Sequence, residues 1–85
     1  MSTTRPSEAG GHVHSLADLK DGERGTIHKN SDRKSTEMGL FPGAHVTMFR
    51  NRKGERSVVI AAGEARFLVS RAIAHKVEVE RSLVH

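Results

Sequence analysis

Six histidines are the side chains best suited to metal or proton chemistry in this 85-residue chain. His12 and His14 lie two apart in a Ser/Thr/Gly/Pro-rich stretch, with no carboxylate or cysteine ordered beside them. A metal holds such a pair loosely, whereas a defined site needs three or four fixed ligands and partners that orient them. His28, His45 and His75 stand alone in the sequence, and His85 is terminal. A three-histidine centre therefore requires the fold to bring His28, His45 and His75 together. No ligand set can be named from spacing, and weak binding of Fe(II) or another transition metal stays open. There is no cysteine. Thiolate catalysis, cysteine-type zinc sites, iron–sulfur ligation and disulfide staples are thereby excluded.

Other catalytic patterns are missing too. No Ser-His-Asp order sits on a strand-to-helix elbow, and there is no Walker-type loop or His-Glu-x-x-His. The glycines fall where turns need them, and so short a chain has little volume for a substrate pocket. The expectation is a binding module, not an enzyme. The charge balance is basic, 14 Lys plus Arg against 10 Asp plus Glu. Arg50, Arg52, Lys53 and Arg56 gather on one hairpin, and Lys29, Arg33 and Lys34 extend the set toward a face that tracks a phosphate backbone. Single-strand binders add exposed aromatic rings. This chain has three phenylalanines, no tyrosine and no tryptophan. At least two of the phenylalanines are assigned to the core, so nucleic acid ranks below a protein partner.

The elements that must position these residues are short. Residues 1–14 lack large apolar side chains that would offset the ordering entropy, and are read as a disordered tail. The domain is read as residues 15–80, with 81–85 as a C-terminal tail. Ser15 to Leu19 reads as a single helical turn that buries Leu16 and Leu19, with Ser15 as its N-cap. Arg24 to Lys29 makes a strand. Asn30 to Met38 has helix logic: Ser31 or Asp32 caps it, and Gly39 ends it. Phe41-Pro42-Gly43-Ala44 reads as a type II turn, proline presetting one φ and glycine supplying the positive one. Strands follow at His45–Arg52, Arg56–Ala61 and Ala65–Val69, then a helical turn from Ser70 and a last strand around Val77 and Val79. This is a mainly β chain: a small barrel of about five or six short strands with one or two short helices, whose closure removes exposed edges.

The run Met38-Gly39-Leu40-Phe41-Pro42-Gly43-Ala44-His45-Val46 resembles the Leu-Gly-Leu-x-Pro-Gly-x-x-Val signature of the ferrous iron transport protein A (FeoA) family. Leu16-Ala17-Asp18-Leu19-Lys20-Asp21-Gly22 looks like that family's opening Leu-x-x-Leu-x-x-Gly, and Ala74-His75-Lys76-Val77-Glu78-Val79 lies in its closing segment. There are departures. Lys34 and Ser35 stand where the family carries Arg-Leu, and the hairpin Arg52-Lys53-Gly54-Glu55 replaces a Pro-Leu-Gly-Asp-Pro segment of longer members.

The resemblance implies an SH3-like barrel that accompanies Fe(II) uptake. Its partner would be the cytosolic part of the membrane transporter FeoB, which has a GTP-binding domain. Related domains form the C-terminal module of iron-dependent repressors. The candidate partner-binding residues are Met38, Gly39, Leu40, Phe41, Pro42 and Gly43 of the signature loop, with Arg50, Arg52 and Lys53 of the basic hairpin. Within that loop, Leu40 is expected to be buried and Phe41 to make the contact. Residues 1–14 carry no secretory-type apolar run, and no stretch approaches the ~18 apolar residues of a membrane span. The expected location is the cytoplasm, peripheral to the inner membrane only through the partner. Self-association, direct metal binding and any effect on partner GTP hydrolysis are left open.

Overall fold

A computed structural model describes residues 13–81. Six strands alternate with three short helical pieces: β1 (Val13–Ser15), a 3-10 turn (Leu16–Asp18), β2 (Arg24–Asn30), α1 (Arg33–Met38), β3 (His45–Arg50), β4 (Ser57–Ala62), β5 (Ala65–Ser70), α2 (Arg71–Ala74) and β6 (Val77–Arg81). The strands form one antiparallel sheet in the order β1-β6-β2-β3-β4-β5. Val13 and His14, assigned to the tail by composition, pair with Glu80 and Val79 as part of β1. Arg81 ends β6. Residues 1–12 and 82–85 lie outside the described residues.

The period-two pattern decides which face turns inward. Val46 and Met48 of β3, Val58 and Ile60 of β4, and Val77 and Val79 of β6 are buried. They meet Ile27, Leu40, Val69 and Ala74, while Leu16 and Leu19 plug one end. Two β-bulges break the alternation. In β2 the register shifts between Ile27 and Lys29, and in β3 between Met48 and Arg50. Each bulge sends two successive side chains outward: His28 with Lys29, and Phe49 with Arg50.

The phenylalanine assignment needs correction. Phe41 and Phe49 are each about half exposed, at 51% and 49%, and only Phe67 packs partly against the core. The core is built from aliphatic side chains instead. Closure also differs from expectation. Among the described residues no ladder joins β1 to β5. Helix α2 lies against both β5 and the 3-10 turn. Ser15 stands at the N-cap position without a side-chain cap bond. That end is tied by Asn51 instead, whose Nδ2 donates to the carbonyls of Ala17 (2.9 Å) and Leu19 (2.7 Å). The Asn51 backbone N–H donates to the Asp21 carboxylate at 2.7 Å.

The Phe41–Ala44 turn forms as its Pro-Gly pair dictates, with the Ala44 N–H donating to the Phe41 carbonyl at 3.0 Å. Gly43 has φ 94°, and a Cβ built there would meet no atom within 4 Å. A substitution therefore meets backbone strain and no steric clash. Gly43→Ala should lower unfolding free energy by about 1 kcal/mol or more, read from denaturant or thermal melts; an unchanged midpoint would contradict the turn geometry.

Candidate functional site

The signature loop is held in place by the segment before it. At the end of β2, the side chain of Asn30 bonds in three directions. Its Nδ2 donates to the Leu40 carbonyl (2.8 Å) and to Ser35 Oγ (2.9 Å), and its Oδ1 accepts from the Asp32 N–H (2.8 Å). Asp32 in turn caps α1, its carboxylate accepting from the Ser35 N–H at 2.8 Å. That bond holds the Asp32 carboxyl below its ordinary value of 3.8, aided by Lys76 and Lys34. Gly39, with φ 132°, ends the helix, and the Leu40 N–H returns to the Ser35 carbonyl at 3.0 Å. Ser35 is buried, which explains a departure from the family pattern: its hydroxyl serves this polar cluster where a leucine would have packed.

Leu40 is then driven inward and is only 1% exposed. The Gly43 N–H donates to the Ile27 carbonyl, and the Ile27 N–H to the Ala44 carbonyl, each at 2.8 Å. These bonds lash the far side of the loop to β2. Met38 and Phe41, flanking the buried Leu40, remain 53% and 51% exposed. Pro42 and Gly43 form the exposed crest of the turn. Met38, Gly39, Phe41, Ala44 and His45 face Ala62, Gly63, Ala65 and Phe67 across an open, largely apolar cleft. The β4–β5 hairpin is thus the second wall, which motif reading of the loop alone did not include. Gly39 is required by its φ of 132°, and the Phe67 ring packs beside it.

The basic residues lie elsewhere. Arg50 ends β3 and Arg52 and Lys53 follow it, whereas the loop precedes β3. Five residues of β3, positions 45–49, lie between the two sets, roughly 17 Å of strand at ~3.3 Å per residue. The fold places the nine candidate residues in two groups at opposite ends of β3. The hairpin is also internally bonded. Arg50 pairs with Glu55 at 2.9 Å, and Arg71 donates to the carbonyls of Arg52 (3.0 Å) and Glu55 (2.9 Å).

The histidines do not converge. His28 is on the β2 bulge, His75 follows α2, and His45 Nδ1 lies 3.1 Å from Thr26 Oγ1. Among the described residues no group of three or more His, Asp or Glu is placed to hold a metal. His12 and His85 lie outside those residues. Phe49 supplies one exposed ring, but Arg66 covers it at 3.9 Å from the centroid. A series of bases would find no row of free rings there.

The coiled six-strand sheet with short helical plugs defines a small SH3-like barrel. The FeoA domain family model matches residues 14–81, and the chain belongs to the FeoA family. It is therefore a small protein associated with ferrous iron transport, in a family of SH3-like accessory domains. Solved structures agree. A crystal structure of an iron uptake regulatory protein, FeoA, superposes with TM-score 0.74 at 25% identity, covering 81% of this chain and 96% of that one. The zinc-complexed Stenotrophomonas maltophilia FeoA, a prokaryotic SH3 domain protein, gives 0.70 at 21% identity over 78% of this chain and 88% of that one. A manganese-dependent transcriptional repressor shares the fold at TM-score 0.75 and 18% identity, over 84% of this chain and 42% of the repressor. No curated protein matches the chain. Among the described residues no helix is long and apolar enough to cross a membrane.

The Asp32 cap gives a pH signature. A carboxyl lowered in the folded state stabilises above its unfolded value and loses that contribution as pH falls through the folded one. Asp32→Asn keeps a capping oxygen without titrating there. The stability advantage of the native chain over Asp32→Asn should be steady above about pH 5 and shrink below 3.8. An advantage that is constant down to pH 2.5 would contradict the assignment.

Proposed function

We propose that this protein supports cytoplasmic Fe(II) uptake by docking, through its signature loop, onto the cytosolic part of the ferrous iron transporter FeoB. The observation that carries the reading is the half-exposure of Met38 and Phe41 on a loop bonded on both sides to β2. Large apolar side chains on a fixed base lose little conformational entropy when a partner covers them. Aromatic residues in such positions commonly dominate interface energies. Family membership supplies the context of ferrous iron transport. Among the described residues no group of three or more His, Asp or Glu is placed to hold a metal.

The separation of the two candidate groups refines the mode of contact. Met38 and Phe41 are the anchors. Arg50, Arg52 and Lys53 reach the same partner only if its face spans the length of β3. Their part is then to speed encounter with an acidic surface, a contribution that salt screens. The chain stays peripheral to the membrane, held there by the transporter. Fe(II) is cargo of the transporter in this reading, and the described residues contribute no cage for it.

The test is a titration of isotope-labelled protein with the transporter's cytosolic domain, followed by NMR. Shifts should concentrate at Met38, Gly39, Phe41 and Gly43 and at the facing Ala62–Ala65 hairpin. Phe41→Asp should fold normally, since the ring is half exposed, and should weaken binding by at least tenfold, the scale of an aromatic anchor. Equal affinity of Phe41→Asp and the native chain would contradict docking through this loop.

A further inference from the structure

The β4–β5 hairpin turns through the two residues Gly63 and Glu64, between the paired Ala62 and Ala65. A two-residue loop makes its flanking pair the hydrogen-bonded one, and bonding then alternates along the ladder. Ala65, Phe67 and Val69 therefore spend their backbone groups on β4, opposite Ala62, Ile60 and Val58. The N–H and C=O of Arg66 and Leu68 point the other way. β5 is a terminal strand, and among the described residues no other strand and no turn or side-chain bond reaches those groups.

Natural sheets protect such edges with lysines, prolines or bulges. β5 has none of these. Its one charge, Arg66, is folded over the Phe49 ring, and Leu68 is 73% exposed in mid-edge. Beside this edge runs a groove with an almost wholly apolar lining. Met38 of α1 and Ile73 of α2 face Phe67, Leu68 and Val69 across it, with Leu40 on the floor. The groove is half open, with a volume of about 150 Å³, room for one apolar side chain. Lys34 lies one helical turn from Met38 on the same wall, and Lys76 is near enough to act on the Asp32 carboxylate that also lines the groove. Two lysines against this one carboxylate leave the rim net cationic.

We propose that the free edge of β5 and the apolar groove beside α1 receive an extended segment of another protein by strand addition, a segment with alternating apolar residues and a carboxylate-bearing flank. Main-chain bonds to Arg66 and Leu68 give the affinity, the groove reads every second side chain, and Lys34 and Lys76 meet the acidic flank. The chain's own ends do not suit the site. Residues 1–12 offer only Met1, Pro6 and Ala9 as apolar side chains, and residues 82–85 are only four, neither making an alternating apolar segment. A second copy paired edge to edge would present the same cationic rim to itself. The site goes beyond the loop-docking reading: it shares Met38 and Phe67 with the cleft of the signature loop, but Phe41 does not line it, so Phe41→Asp separates the two.

The probe is a capped heptapeptide, Glu-Val-Thr-Val-Ser-Leu-Glu, titrated to millimolar concentration into the labelled full chain. The amides of Arg66 and Leu68 should shift and exchange with solvent at least tenfold more slowly. Replacing both glutamates of the probe by lysine should weaken binding at least fivefold, and the double variant Lys34→Glu with Lys76→Glu should reverse that preference. Leu68→Lys, at an exposed position, should fold and bind at least fivefold more weakly. Absence of shifts at β5 overturns the proposal. So does equal binding of a probe whose central valine is proline, since that ligand lacks the N–H that strand addition requires. Shifts at β5 that depend on protein concentration without probe would assign the edge to a second copy and overturn the occupant named here.

Discussion

The signature loop leans on one half-buried amide. Asn30 ends β2, and its side chain satisfies the Leu40 carbonyl, the Ser35 hydroxyl and the Asp32 N–H at once. Each of these groups sits where the chain leaves the sheet, makes a helix of six residues and returns. So short a helix has no stability of its own. It persists because Asn30 and Asp32 satisfy its first turn, and because Leu40, immediately after it, is anchored in the core. The loop that carries Met38 and Phe41 therefore behaves as part of the scaffold. Its exposed apolar side chains stand on a backbone held by the bonds beneath them.

The same economy of elements explains the open edge. A chain this short closes its sheet with helical plugs where another strand would need more residues. The 3-10 turn and α2 fill one end, α1 lies along the other, and β5 is left unpaired between them. Phe67 joins these features: its ring packs against Gly39 and lines both the cleft of the signature loop and the groove beside α1. The loop and the edge are thus two faces of one wall. The basic hairpin at the far end of β3 is tied down by Glu55 and Arg71.

Much of this was legible in the residues. A cap at Ser31 or Asp32, the Gly39 stop and the Pro42-Gly43 turn follow from local backbone chemistry, and alternation put Val46 and Met48 on one face. The burial of Leu40 and exposure of Phe41 were likewise readable from their places around that turn. What escaped depends on long-range register. The bulges at His28 and Phe49 are properties of two strands together, and neither strand announces them. Alternation from Met48 already sends Phe49 outward; the β3 bulge does the same for Arg50, which unbroken alternation would turn inward. Asn30 and Asn51 look like ordinary polar residues until the carbonyls they serve, 10 and more than 30 positions away, are brought to them. The separation of the loop from the basic hairpin follows from the length of β3, which a list of candidate residues does not weigh.

Amide hydrogen exchange on the native chain and on Asn30→Ala tests the central claim, that the signature loop is built into the scaffold. The Leu40 N–H on Ser35 and the Gly43 N–H on Ile27 are the reporters. In the native protein they should be protected nearly as well as the β2–β3 ladder. In Asn30→Ala they should lose protection by at least tenfold, while the ladder amides keep theirs relative to global stability. Rapid exchange of Leu40 and Gly43 in the native chain, or identical protection in the two proteins, would contradict the account.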